Sequence, residues 1–320
     1  MASLGTARTT RTRRALSGLV GSVALAALLP LGTAGPAAAA TASLCVSATH
    51  PALAAELNRD IRSALAGRTD TVGVTVWDAR TGTFCASNAY RHFDSASAVK
   101  ATIMAAVLRR AQEQHRGLTG WESYNLHLMI TQSDNTAASN LWGSLGRARF
   151  SAYLRLAGMT TTVPGPGGYW GLTQLTARDE VRLLDTLTDN HLVLSATWRA
   201  YALKLMSEVT SSQRWGAPYG APRGPLVSNK NGWLPRATRG WRVNTIGAVT
   251  GDGRDYRMAV LSDNNRTMGY GVDTLDRVAA AVNRDLGGTV SSTRSRAVVP
   301  SGPYSGPQAS DGSAPFGAVG

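Results

Sequence analysis

Lysine is nearly missing from this chain. Of 33 basic residues, only Lys100, Lys204 and Lys230 are lysines. Arginine stands wherever a plain positive charge suffices, so a retained lysine points to chemistry that arginine cannot do. Arginine stays protonated, whereas a buried lysine can lower its pKa and act as a base. Cysteine is almost as scarce. Cys45 and Cys85 are the pair present, and two thiols with scattered histidines make no zinc site. No cofactor or metal is expected. Past residue 40 no run of basic residues with interleaved aromatics occurs, which argues against a nucleic-acid partner despite a net charge of +13. Removing the leader arginines Arg8, Arg11, Arg13 and Arg14 leaves 13 − 4 = +9, the charge of a protein that meets anionic cell-wall polymer or an acidic substrate.

Residues 1–40 read as an export leader. The four arginines form an acid-free basic region, followed by an apolar stretch from Ala15 to about Leu31 and the small-residue run Ala37-Ala38-Ala39-Ala40. Gly18, Gly21 and Pro30 interrupt that stretch, so cleavage is expected over stable membrane insertion. The route is Sec or, from Thr12-Arg13-Arg14-Ala15-Leu16, twin-arginine. A secreted protein is expected, acting as a monomer. In an oxidising compartment an even cysteine count suggests a Cys45–Cys85 disulfide. The rival, a lipid-anchored Cys45, is disfavoured by Leu44, where a lipidation box wants a small residue.

The rest of the chain reads as one domain over 41–287 and a Gly/Ser/Pro-rich tail over 288–320, expected to be disordered. Leu53, Leu57, Ile61 and Leu65 recur at helical spacing over Pro51–Leu65. A strand at 72–77, a turn at 78–82 and a strand at 83–86 make a hairpin. Helices are expected over 97–114, 121–132, 135–145, 147–156, 176–187 and 196–206, with a loop over 163–168. Strands at 244–250 and 256–261 flank Asp252-Gly253-Arg254, and a last helix covers 272–286. Strands at both ends with helices between them imply an α+β fold. An antiparallel sheet drawn from about 45–95 and 207–287 is flanked by helices, and an all-helical subdomain over about 96–206 is inserted.

Three short motifs fall at the junctions. In Ser97-Ala98-Val99-Lys100 the serine and lysine lie one helical turn apart on a shared face. Free N–H groups of the helix start point at the serine, which favours an oxyanion nearby. Serine needs a base to become a nucleophile, and Lys100 fills that role if burial or a second positive charge, such as Lys230, keeps it partly neutral. In Ser133-Asp134-Asn135 the hydroxyl can relay a proton. The Asn135 amide can hold Lys100 and a substrate carbonyl, and Asp134 can cap the next helix. In Lys230-Asn231-Gly232-Trp233 an extended segment reaches a glycine that permits close approach. There the N–H of Trp233, paired with that of Ser97, could form an oxyanion hole.

The order S-x-x-K, S-D-N, K-x-G resembles the class A β-lactamases and the wider penicillin-recognising serine enzymes. The likeness spans roughly Leu53 to Leu286 and includes the 78–82 hairpin, Phe93 to Lys100, Met129 to Asn140, Gly158-Met159-Thr160 and the Asn244 strand. It implies the β-lactamase/transpeptidase-like fold, with Ser97 as nucleophile and Lys100 as base. Ser133 would be the proton relay, and Lys230 would hold the substrate carboxylate and the proton network. Asn135, Asn231, Gly232 and Trp233 would bind substrate. The implied partner is a β-lactam or a peptidoglycan-derived small molecule.

Three departures stand out. The family's loop glutamate, which holds the deacylating water, has no counterpart: Met159 to Leu175 contains no carboxylate. Asn231 replaces the usual threonine or serine. The Lys100–Ser133 stretch is short, so the cleft wall there is expected to be trimmed. A slow β-lactam hydrolase is one expectation. A D-alanyl-D-alanine peptidase or esterase, or a binding module without catalysis, is the other.

Overall fold

The structure is a computed structural model and describes residues 42–189, 192–287 and 309–314. Residues 1–41 lie outside it, so the leader expected at 1–40 is not among the described residues. Strands β1 (Cys45–Val46), β2 (Thr71–Asp78), β3 (Thr83–Ser87), β6 (Leu226–Pro235), β7 (Trp241–Gly251) and β8 (Arg254–Asn265) form a six-stranded sheet in the order β1-β3-β2-β8-β7-β6. Every pairing in it is antiparallel. Strands β4 (Phe93–Asp94) and β5 (Gln174–Leu175) make a second, two-stranded sheet.

The strand turns follow from local chemistry. Between β7 and β8 the loop is Asp252-Gly253, with φ of 48° and 73°. Two left-handed residues are what a tight I′-type hairpin requires, and Asp-Gly supplies them at low cost. Both strands run longer than the sequence pattern implied, because their outer residues continue the ladder.

Side chains on the sheet alternate between two cores, as a period of two requires. Val72, Val74, Val76, Met258 and Val260 face one side, where helices α1 (Pro51–Leu65) and α8 (Met268–Gly287) cover them. Ala259, Leu261, Ile246 and Ala248 face the other side. There they meet the helical part: α2 (Lys100–Glu113), α3 (Gly120–His127), α4 (Asn135–Leu145), α5 (Arg147–Leu156), α6 (Ala177–Thr188) and α7 (Ala196–Ser207). The α+β class, the antiparallel sheet and the helical segment between its strands are as the sequence implied. Helix α8 starts four residues before the expected Val272. Gly269 and Gly271 hid it from the apolar pattern, yet a side chain at Gly271 would sit 2.5 Å from Val243 Cγ2.

Cys45 and Cys85 are disulfide-bonded and face each other across β1 and β3. The sulfur of Cys45 is therefore committed to a protein partner. Residues 309–314 are described and lie against the cleft, so for these six residues the expected disordered tail is corrected. Residues 288–308 and 315–320 lie outside the described set.

Candidate active site

The chain reaches Ser97 through a tight turn held from two sides. After β4, Ser95 N–H donates to Thr173 O at 2.9 Å, and Ser95 Oγ donates to Gly171 O at 3.1 Å. From the sheet, Asn244 Nδ2 donates to Asp94 O at 2.9 Å and to Ser95 O at 3.1 Å. Ala96 then adopts φ 47°, a left-handed conformation that an alanine takes only under such constraint. The helix expected from Ser97 begins as a 3₁₀ turn over Ala96–Val99, and α2 proper starts at Lys100. That tighter turn leaves the Ser97 N–H free of backbone partners and directed into the cleft. Ser97 is fully buried, and its Oγ makes no hydrogen bond among the described residues. The direct Ser97–Lys100 bond allowed by the sequence is not formed.

Lys100 instead reaches across to the second motif. Its Nζ donates to Ser133 O at 2.6 Å, Ser133 Oγ at 3.1 Å and Asn135 Oδ1 at 2.7 Å. The helix expected to run to Gln132 is α-helical only to His127. It widens into a π turn over Leu128–Gln132 and ends at Ser133 with φ 60°. That left-handed residue turns the Ser133 carbonyl and hydroxyl toward Lys100. Asp134 Oδ1 accepts the Ala137 N–H at 2.7 Å and caps α4, as the motif suggested.

Lys230 arrives from β6 and completes the bridge. Its Nζ donates to Ser133 Oγ at 3.0 Å and to Asn231 O at 2.9 Å. Two lysine amines thus share one hydroxyl, and their hydrogen-bond partners among the described residues are all neutral. Burial is the main force on both and favours loss of the proton. The Lys100 pKa is lowered to about 8, with Asp311 and Asp134 pulling it back up. Lys230 is pushed well below its ordinary value by burial first and by the Lys100 charge second. The Trp170 ring lies 4.8 Å from Lys100 Nζ and is anchored by its Nε1–H to Ser139 Oγ at 3.1 Å.

Gly232 is the point where β6 presses against the Ser97 turn. A β-carbon there would lie 2.6 Å from Ser97 N and 2.5 Å from Ala98 N, so only glycine lets the strand come this close. The next residue, Trp233, presents its N–H beside that of Ser97. Both donate to a single oxygen, Asp311 Oδ2, at 2.8 Å from Ser97 and 3.3 Å from Trp233. Asn135 Nδ2 donates to the Asp311 backbone carbonyl at 2.8 Å. Ser97, Lys100, Ser133, Asn135, Lys230, Gly232 and Trp233 are therefore assembled around one cleft.

Asn231 is the exception. Its amide hydrogens go to Gln213 O and Trp215 O, each at 2.9 Å, and it is fully buried. The substrate donor expected at this position is corrected: the side chain ties β6 to the 213–215 segment. The loop from Met159 to Leu175 is occupied in the same way. Gln174 Nε2 donates to Asp94 Oδ1 at 2.5 Å, and Thr173 Oγ1 accepts Gly165 N–H at 3.1 Å. Both side chains are held by protein partners, and neither an amide nor a hydroxyl is basic enough to take a proton from a cleft water.

Sequence reading missed three contributors. Asn244 was seen only as part of a strand, although a buried asparagine within an apolar strand is itself a signal of backbone anchoring. Trp170 carried no motif. Asp311 lies in a segment whose composition suggested no structure at all.

The Beta-lactamase enzyme family matches this chain over residues 55–120 and 124–286, and the chain belongs to that family. Among curated proteins it is similar to "Putative lipoprotein LppW" of Mycobacterium tuberculosis and Mycobacterium bovis, 28% identical over 199 residues. That match covers 60% of this chain and 63% of the relative, so the chain spans under two thirds of the curated relatives' length. In structure it resembles a class A β-lactamase from Bacteroides cellulosilyticus, with a TM-score of 0.63 at 19% identity over 72% of this chain and 97% of that one. It likewise resembles the TLA-3 extended-spectrum β-lactamase, with a TM-score of 0.64 at 17% identity over 72% and 98% of the two chains. At these identities the structural likeness establishes the fold.

Proposed function

We propose that this chain is an exported serine hydrolase that forms an acyl-enzyme on Ser97, with a β-lactam or a peptidoglycan-derived amide or ester as its substrate. The observation that carries the reading is the convergence of the Ser97 and Trp233 N–H groups on one oxygen, beside a serine whose hydroxyl has no hydrogen-bond partner among the described residues. Two backbone donors fixed in that way match the charge that develops on a carbonyl oxygen under attack.

Lys100, neutral in part because burial lowers its pKa, takes the Ser97 proton as the serine oxygen attacks the carbonyl carbon. The oxyanion rests on the two N–H groups. Ser133, bonded to both lysines, hands its proton to the leaving nitrogen or oxygen and is reprotonated by Lys100, which passes on the proton taken from Ser97. The C–N or C–O bond breaks and the acyl group stays on Ser97. Release then needs an activated water. The carboxylate-free loop offers no base, and general-base assistance is worth about 10² to 10⁴ in rate, so the acyl-enzyme is long-lived.

One observation favours a peptidase or esterase acting on cell-wall material over an efficient β-lactamase: the cleft accepts peptide backbone. Asp311 N–H donates to Trp233 O at 3.1 Å while its carbonyl accepts from Asn135. Export is supported by the disulfide, and no helix among the described residues is long and apolar enough to cross a membrane.

Intact-mass measurement after mixing with a penicillin tests the reading. The expected result is a persistent adduct that Ser97→Ala abolishes. Rapid recovery of the free mass would mark an efficient β-lactamase, and no adduct at all would favour a binding module.

A further inference from the structure

The oxygen that marks the oxyanion position comes from the protein itself. Asp311 sits far down the chain from every motif, in a segment of small residues, Ala309-Ser310-Asp311-Gly312-Ser313-Ala314. Six contacts seat it. The carboxylate takes the Ser97 and Trp233 N–H groups, and the Asp311 N–H pairs with Trp233 O at 3.1 Å. Asn135 holds the Asp311 carbonyl, and Trp233 Nε1–H donates to Ala309 O at 2.9 Å. Ser313 is buried against Gly171, where a β-carbon would fall 2.5 Å from Ser313 O. The segment also braces itself: Ser313 N–H donates to the second carboxylate oxygen, Asp311 Oδ1, at 2.9 Å. Gly312 has φ +73° and would bring a β-carbon within 2.8 Å of Asn135 Nδ2, so this turn of the segment requires glycine.

We propose that residues 309–314 are a built-in occupant of the cleft that blocks acylation of Ser97, with the Asp311 carboxylate standing where a substrate carbonyl oxygen would go. The blocking rests on the reading of Ser97 as the acylated residue; the seating does not.

The chemistry of the seated group makes it an inhibitor and not a substrate. A carboxylate is a poor electrophile and has no leaving group, so attack by Ser97 leads nowhere. Its charge matches a site built for an oxyanion and flanked by two buried lysines. The same charge also works against the base: Asp311 raises the pKa of Lys100 and of Lys230, so the seated segment keeps both closer to their protonated forms. Because the segment belongs to the same chain, its competition with substrate is intramolecular and is not weakened by dilution of the protein. A substrate must displace it.

The test compares the full-length chain with Asp311→Ala, Asp311→Asn and Gly312→Ala, all outside the proposed catalytic set. Amide hydrogen exchange of Ser97 and Trp233, read by NMR, reports seating. Acylation by a limiting concentration of a fluorescent penicillin reports blocking. Exchange at both amides should quicken at least about tenfold in Asp311→Ala, since each loses its acceptor, and acylation should quicken by a similar factor. Asp311→Asn should fall between, because it keeps an acceptor oxygen but no charge, and Gly312→Ala should follow Asp311→Ala. Unchanged exchange would overturn the seating. Faster exchange with unchanged acylation would overturn the blocking. Faster exchange with no acylation of any chain would uphold the seating and bring down the assignment of Ser97 instead.

Discussion

Gly232 and Ser97 lie so close that a single added methyl group would part them: a β-carbon on the glycine would stand 2.6 Å from the serine nitrogen. The contact sets the spacing between β6 and the Ser97 turn, and with it the distance between the Ser97 and Trp233 N–H donors. Gly232→Ala must therefore push β6 outward. Loss of one oxyanion donor costs about 10² to 10³ in rate, and acylation of Ser97 should fall by that order with the fold retained. The rate constant for adduct formation, taken with a circular-dichroism melt, checks this. Acylation within a few-fold of the parent would show that the strand can move without harm.

Lys100 yields a pH prediction. As a base it works only when deprotonated, and burial brings its pKa down to about 8. Acylation should rise with pH through about 8 and level off above it. Because Asp311 pulls that pKa upward, Asp311→Ala should shift the midpoint to lower pH. Lys100→Arg keeps the charge and removes the base, so acylation should drop at least about a hundredfold. A flat profile between pH 6 and 9 would assign the base to another group.

The Cys45–Cys85 bond ties the start of the described chain to the hairpin strand β3 over a sequence separation of 40. Replacing both cysteines with alanine should lower stability by roughly 2–4 kcal/mol, seen as an earlier midpoint in denaturant. Equal midpoints with and without reductant would show that β1 pairing alone holds this edge.

Glu180 is buried in the helical core, and neither carboxylate oxygen finds a hydrogen bond among the described residues. Burial raises its pKa well above the ordinary value, helped by the Asp179 charge. A raised carboxyl pKa means that the folded state holds a proton the unfolded chain has released. Stability is therefore lost as pH climbs above the unfolded value of about 4.3, by up to about 1.4 kcal/mol per pH unit until the folded group ionises. Glu180→Met fills a similar volume without the charge, so its melting temperature should exceed the parent's by a margin that grows from pH 5 to pH 7. A margin independent of pH would mean that Glu180 is already ionised in the fold.

Much of the cleft was legible because its logic is local. Ser97 and Lys100 are one turn apart, Asp134 caps the helix that follows it, and Gly232 sits where a strand must come close. The hairpin at Asp252-Gly253 and the amphipathic helix α1 are equally local, one set by φ preference and the other by apolar spacing. The π turn over Leu128–Gln132 was not legible, since its apolar spacing continues that of the helix before it and the contacts at the turn, such as Thr210 N–H to Thr131 O, come from elsewhere in the chain. Asn231 misled for a related reason. Its position in the motif suggests a ligand donor, but the carbonyls of Gln213 and Trp215 compete for its hydrogens and hold them.

The sequence by itself determined the order of the three motifs, the α+β class, the lack of a carboxylate from Met159 to Leu175 and the pairing available to two cysteines. Each is a property of residue type and spacing, which the chain carries before it folds. Only the tertiary structure decided that Lys100 and Lys230 meet at one hydroxyl, that Asn244 pins the turn before Ser97 and that Asp311 takes the Ser97 and Trp233 N–H groups. Those contacts join segments far apart in the chain, and what selects them is burial: polar groups taken out of water must find partners wherever the packed elements bring them.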